Sequence, residues 1–134
     1  MPREAWLRKH ADYQRVYREG KRQSLPLMTY FFAIRSLEDG AKRPPANPAA
    51  PISRVGLTAG RVLGNAVARN RIKRRMRAAV RQHRMELTAS VDVILHPRKT
   101  VLEAEFSQIE RDVLRAFRAV QAACAGIGSG SGTG

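Results

Sequence analysis

The residues best able to do chemistry are concentrated in one run, Gly64-Asn65-Ala66-Val67-Ala68-Arg69-Asn70-Arg71-Ile72-Lys73-Arg74-Arg75-Met76-Arg77. Guanidinium groups grip phosphate oxygens two at a time, and their planes stack on bases. Asn70 adds an amide that both donates and accepts, suited to a sugar hydroxyl or to a water on a bound metal. Where such a run opens a helix, the free N–H groups and partial positive charge of its first turn add attraction for phosphate. The chemistry is polyanion binding, and a helix entering a DNA major groove satisfies it as well as one lying on RNA.

A second set of residues is aromatic. Trp6, Tyr13, Tyr17, Tyr30, Phe31 and Phe32 all precede residue 33, leaving Phe106 and Phe117 for the rest of the chain. Rings on a sheet and an adjoining helix stack unpaired bases, or else fill a core. Neighbours in a strand point to opposite faces, so Tyr30 and Phe32 share one side and Phe31 takes the other. The three cannot all be core, nor all be platform.

Self-contained catalysis has no comparable constellation. His10, His83 and His96 are scattered, and Glu103, Glu105, Glu110 and Asp112 read as solvated charges on the last helix. A two-metal nuclease needs several carboxylates converging on one point, and the cationic run contains none. Cys124 stands without a partner motif and reads as inert.

These residues need elements to position them. Tyr13, Val16 and Tyr17 are spaced as one face of a short helix over 11–19, which Gly20 stops. Residues 21–35 favour strand, ending in the aromatic and β-branched run Met28–Ile34, and 52–59 and 91–95 read as further strands. Between them the four prolines of 38–51 make a loop. Asn65 is the expected N-cap of a long helix to about residue 87. On it Ile72, Met76, Ala79, Val80 and His83 form an apolar stripe, His83 as a packed or satisfied imidazole. Arg69, Lys73, Arg77, Arg81 and Arg84 occupy a different face, and Arg71, Arg74 and Arg75 broaden the charge. Thr100 and Glu103 have the spacing of a capping box opening the last helix, with Phe106, Ile109, Val113, Phe117 and Val120 inward. The expectation is an α+β domain over 1–121, a two-layer α/β sandwich of order α-β-β-β-α-β-α, with 38–51 as an insert and 122–134 a disordered Gly/Ser tail.

Composition narrows the function classes. Of 134 residues, 25 are Lys or Arg and 11 Asp or Glu, a net charge of +14. No acid lies between Asp39 and Glu86, so a partner is expected to supply the missing negative charge. One cysteine excludes a disulfide scaffold, no apolar stretch reaches the length of a membrane helix, and no signal peptide is expected at the start. A cytoplasmic nucleic-acid binder fits best. DNA or nucleoid binding, a ribosomal or RNA-chaperone role and a self-sufficient ribonuclease stay open from the residues alone. A DNA reader of this size would be expected to dimerise, and no spare apolar helix offers the seam.

The Gly64–Arg77 run resembles the signature of the protein subunit of bacterial ribonuclease P. Asp12-Tyr-Gln-Arg-Val-Tyr-Arg-Glu-Gly-Lys21, Arg54-Val-Gly-Leu57 and Val91-Asp-Val-Ile-Leu95 support the likeness, which covers about Leu7 to Phe117. The resemblance implies a left-handed βαβ crossover, as in a domain of a small-subunit ribosomal protein. It further implies a ribonucleoprotein endonuclease that removes the 5′ leader of precursor tRNA, with Mg²⁺ chemistry held mainly by the RNA and no catalytic or metal-binding residue on the protein. The implied partners are the catalytic RNA and precursor tRNA, without a membrane or a further protein. By position, Arg69, Asn70, Arg71, Lys73, Arg74 and Arg77 match the family's RNA-contacting motif, Arg61 before the helix and Arg81 further along its charged face join them as RNA-binding residues, and Tyr13, Val16, Tyr17 and Phe31 would line the leader cleft. Departures from the family pattern are Tyr13 in place of the usual Phe, Val62 in a usually basic pair, Ala78 at a commonly acidic position, and His96 where Arg is common. The last would make that contact pH-dependent.

Overall fold

Residues 6–34 and 53–126 are described by a computed structural model. The proline-rich 38–51 segment and residues 127–134 lie outside the described residues. The elements are α1 (His10–Glu19), β1 (Lys21–Ser24), β2 (Met28–Ile34), β3 (Arg54–Leu57), α2 (Ala66–His83), β4 (Val91–Pro97) and α3 (Phe106–Gly126). Short 3₁₀ turns cover Arg61–Leu63, Arg84–Glu86 and Lys99–Leu102. The order is the expected one. The last helix continues past residue 121 to Gly126, so 122–126 belong to it rather than to a tail.

The strands form one sheet in the order β1-β2-β4-β3. The β1–β2 and β2–β4 pairs are antiparallel, while β3 and β4 run parallel with Arg54 opposite Asp92 and Gly56 opposite Ile94. A parallel pair of neighbours needs a long crossover, and α2 supplies it. Trp6 extends the β3 edge through a bridge to Val55, with Leu7 N–H donating to the Val55 carbonyl at 2.8 Å.

Alternation along β2 and β4 divides the interior in two. Tyr30, Phe32, Val93 and Leu95 join Ile72, Met76 and Val80 of α2 and Ile109, Val113 and Phe117 of α3 in the main core. Ala33 and Ile94 face the other way, against Leu7 and Val16, with Tyr13 and Phe31 at the margin. The sheet and α2/α3 make the expected sandwich, and among the described residues α1 is the one helix on the opposite face. That asymmetry leaves the Phe31 and His96 end of the second face open.

Three local expectations give way to tertiary contacts. Thr100 and Glu103 do not cap α3, which begins at Phe106; Gln108 reaches back instead to accept the Glu105 N–H at 3.0 Å. The Lys99–Leu102 turn is claimed by Arg75, whose guanidinium donates to the carbonyls of Val101, Leu102 and Ala104. Asp112 is not solvated: it is 1 % exposed and accepts the Leu27 N–H at 2.9 Å, fixing the β1–β2 turn to α3. Where α1 meets β1, a Cβ on Gly20 would lie 2.4 Å from the Val16 carbonyl oxygen and 2.5 Å from that of Phe32, so only glycine fits the corner.

Candidate nucleic-acid interface

The cationic helix starts where the sequence places it. Gly64 adopts φ +119°, open only to a residue without a side chain, and Asn65 then caps α2 by accepting the Ala68 N–H at 2.9 Å. Three and a fraction residues per turn put Ile72, Met76, Ala79 and Val80 on the buried side. Arg69 and Lys73 border that stripe and are half-buried, whereas Asn70, Arg71, Arg74, Arg77 and Arg81 are exposed. Arg61 is exposed on the turn before the helix. None of these cations pairs with a carboxylate among the described residues. They form a face whose charge no carboxylate among the described residues compensates.

Two arginines of this helix and its C-cap belong to the fold instead. Arg75, on the opposite border of the stripe, turns inward to the three carbonyls already described. Arg84 donates to the Ser53 carbonyl at 2.9 Å, and burial lowers its pKa. Neither broadens the binding face. His83, on the apolar stripe, is satisfied by Glu110 at 3.1 Å.

Tyr13, Tyr17, Phe31 and His96 gather on the α1 side of the sheet, while Tyr30 and Phe32 lie in the main core on the other. Tyr17 and Phe31 meet edge to face with ring centres 5.1 Å apart, and His96 lies 5.6 Å from Tyr17 and 4.9 Å from Phe31. The Tyr17 hydroxyl and His96 Nε2 are hydrogen-bonded at 2.8 Å. Tyr17 is 41 % exposed, so this cluster presents ring surface to solvent. Tyr13 stands 6.5 Å from Tyr17 and is more constrained. Its hydroxyl donates to the Leu7 carbonyl and accepts from the Leu57 N–H, both at 3.2 Å. Its ring lies over Gly56, where a Cβ would come within 2.9 Å of it. Burial pushes the Tyr13 and Tyr17 phenols up, keeping both neutral, and lowers the pKa of His96 with help from the Arg22 charge.

Val16 does not line this cleft. It is fully buried between α1 and Ile94, because it occupies the middle of the contact face of the helix. It forms the floor that sets α1 at its height above the sheet. On the far flank of α1, Asp92 is buried and receives two bonds from Arg54, Nε to Oδ1 at 2.9 Å and Nη2 to Oδ2 at 2.8 Å. Arg15 also binds Asp92, and Arg54 reaches Asp12 at 3.3 Å. Burial works against the Arg54 charge, but its hydrogen bonds to Asp92 and the charges of Asp92 and Asp12 outweigh it and raise its pKa. Helix α1 is therefore latched on one flank, seated on Val16, and free to present Tyr13 and Tyr17 on the other.

Two grooves flank the aromatic row. One of 380 Å³ runs past Phe31, His96, Arg22, Arg98 and Lys99 to Val62, which is 87 % exposed. The other, of 310 Å³, lies between Tyr13 and the Arg77 and Arg81 flank of α2. Sequence reading passed over Arg22, Arg98 and Lys99; the only local signal was a basic pair just beyond the end of β4. Among the described residues no cluster of three His, Cys, Asp or Glu could hold a metal ion, and no helix is long and apolar enough to cross a membrane.

Residues 1–121 match the family model described as Ribonuclease P. The ribonuclease P protein component of Brucella melitensis is 36 % identical over 117 residues, covering 84 % of this chain and 77 % of that one. The fold matches the ribonuclease P protein of Staphylococcus aureus with a TM-score of 0.66 at 24 % identity, over 87 % of this chain and 95 % of that one. The ribonuclease P protein of Thermotoga maritima gives 0.66 at 22 % identity, over 85 % and 96 %.

Proposed function

The chain belongs to the ribonuclease P protein family, and from that premise we propose that it is the protein subunit of a cytoplasmic ribonucleoprotein endonuclease that removes the 5′ leader from precursor tRNA. The observation that carries the reading is the pairing of two surfaces on one small domain. An arginine face with no carboxylate partner among the described residues adjoins a cleft of partly exposed rings. The first neutralises phosphates of a folded RNA, and the second suits unpaired bases, which offer a π-face whatever their sequence.

In this reading Arg69, Asn70, Arg71, Lys73, Arg74 and Arg77 anchor the catalytic RNA, with Arg61 and Arg81 at the two ends of the helix face. Tyr17, Phe31 and His96 take leader bases, and Tyr13 serves mainly to hold the cleft wall. The protein contributes affinity and position. Mg²⁺, held mainly by the RNA, would supply the metal-ion chemistry of the cleavage. This chain's part is to keep the leader extended beside that centre and to reduce repulsion between two polyanions.

The test is cleavage of a 5′-extended precursor tRNA at low Mg²⁺ by ribonuclease P RNA alone, by the protein alone, and by both. Cleavage at the mature 5′ end only with both is expected. Activity of the protein alone refutes the assignment of chemistry to the RNA, and an RNA indifferent to the protein refutes the partnership. With Tyr17→Ala, affinity for leader-bearing precursor should fall while that for mature tRNA holds; equal losses would refute the leader cleft.

A further inference from the structure

The 310 Å³ groove is walled by Trp6, Arg8, Tyr13, Leu57, Arg77 and Arg81. We propose that it is a nucleotide subsite, taking one base against Trp6 and its phosphate on Arg8, Arg77 and Arg81, so that the RNA surface extends onto the residues before α1. The proposal rests on the RNA-binding reading above and gives that surface a specific end.

The wall is built before any ligand arrives. Trp6 is bridged to Val55, Leu7 N–H is bonded to the Val55 carbonyl at 2.8 Å, and the Tyr13 hydroxyl donates to the Leu7 carbonyl at 3.2 Å. Leu7 itself is 5 % exposed. A segment held by two backbone contacts, a side-chain bond and a core residue loses little further freedom when a strand binds to it. The Tyr13 hydroxyl is one of these ties, which gives a structural consequence to tyrosine at this position: a phenylalanine would fill the space over Gly56 and leave the Leu7 carbonyl unclaimed.

The chemistry of the lining fits a nucleotide. Arg8, Arg77 and Arg81 are exposed, and none pairs with a carboxylate among the described residues. The nearby acid on α1, Asp12, is engaged by Arg54 at 3.3 Å. Trp6 is half-buried, with one part packed on the core and the rest available to a flat partner. The volume lies at the lower end of ligand pockets, which begin at about 300 Å³, enough for one nucleotide. Tyr13 belongs both to this groove and to the aromatic row, so a strand passing Tyr17 leads into it.

Trp6 is the single tryptophan of the chain, so its fluorescence reports on the groove directly. The experiment titrates the full chain with a fluorescein-labelled single-stranded oligoribonucleotide, following Trp6 emission and label anisotropy together, with wild type and Arg8→Gln, and repeats the emission titration with a nucleoside monophosphate. Expected are quenching of Trp6 in parallel with the anisotropy rise, several-fold weaker binding for Arg8→Gln, and a salt slope lower by about 0.7 for the lost phosphate contact. An anisotropy rise with unchanged Trp6 emission overturns the subsite and leaves the RNA-binding reading intact. No anisotropy rise overturns that reading itself. Quenching by the monophosphate as strong as by the oligonucleotide overturns the strand subsite in favour of a free-nucleotide site. Quenching that Arg8→Gln leaves unchanged overturns the phosphate role of Arg8.

Discussion

Replacing Asp92 with asparagine should uncouple the two flanks of α1. Asp92 is fully buried, and Arg15 and Arg54 lean on it with side chains 23 % and 25 % exposed. Asparagine keeps the shape and one acceptor oxygen but removes the charge that both guanidinium groups answer. Breaking a buried ion pair from one side costs about 3–5 kcal/mol. Because both arginines reach some solvent and Arg54 keeps Asp12, the lower end applies, ~3 kcal/mol. For a domain of this size that is a drop in Tm of roughly 9–15 °C. Urea unfolding followed by far-UV circular dichroism measures it, as a lower midpoint with an unchanged m-value. On α1, Asp12 and Arg15 lie on one side of Val16 and the two tyrosines on the other, so losing the latch lets the helix roll about Val16 and misplaces the rings. At a temperature where Asp92→Asn is folded, leader-dependent affinity should therefore fall more than affinity for mature tRNA. A loss below about 1 kcal/mol would place the network with ordinary surface ion pairs and refute the latch.

Two further substitutions separate anchoring arginines from structural ones. Arg75→Met removes three bonds to carbonyls and should cost about 2–3 kcal/mol in urea unfolding, with little change in the salt slope of RNA binding. Arg74→Met should leave stability within about 0.5 kcal/mol and lower that slope by roughly one phosphate contact, about 0.7–0.9; equal slope changes for the two would refute the inward role of Arg75. His96 gives a pH dependence of known sign. Its pKa is lowered by burial and by Arg22, so the folded state binds its proton less readily than the unfolded chain. The stability it contributes is complete above the ordinary histidine value of about 6.5 and is lost as pH falls through the lower folded value. Unfolding midpoints across that range should show the step in wild type and not in His96→Gln; an identical step in both would assign it to another group.

Periodicity was enough to read much of this protein. The apolar stripe of α2, the Asn65 cap and the opposite orientation of Phe31 from Tyr30 and Phe32 follow from 3.6- and 2-residue repeats, which act over one or two turns of chain. The charge excess and the Gly64–Arg77 run pointed to a polyanion and to the family on the same local basis. What local pattern does not determine is the partner of a polar side chain. Arg75 and Arg74 are adjacent and chemically identical, yet one is spent on carbonyls 26 to 29 residues away and the other faces solvent. Val16 and Tyr17 share a helical repeat, but the height of α1 over Ile94 buries the first and opens the second. Asp92 finds Arg15 at a separation of 77 residues and Asp112 finds the Leu27 amide at 85, contacts that exist only once the sheet and helices have stacked. Which charges and rings the chain carries, and the repeat that spaces them, are local properties of the amino-acid order. Tertiary packing decided which of them remain free to bind, because a buried guanidinium or carboxylate must be satisfied by whatever the fold brings within hydrogen-bond reach.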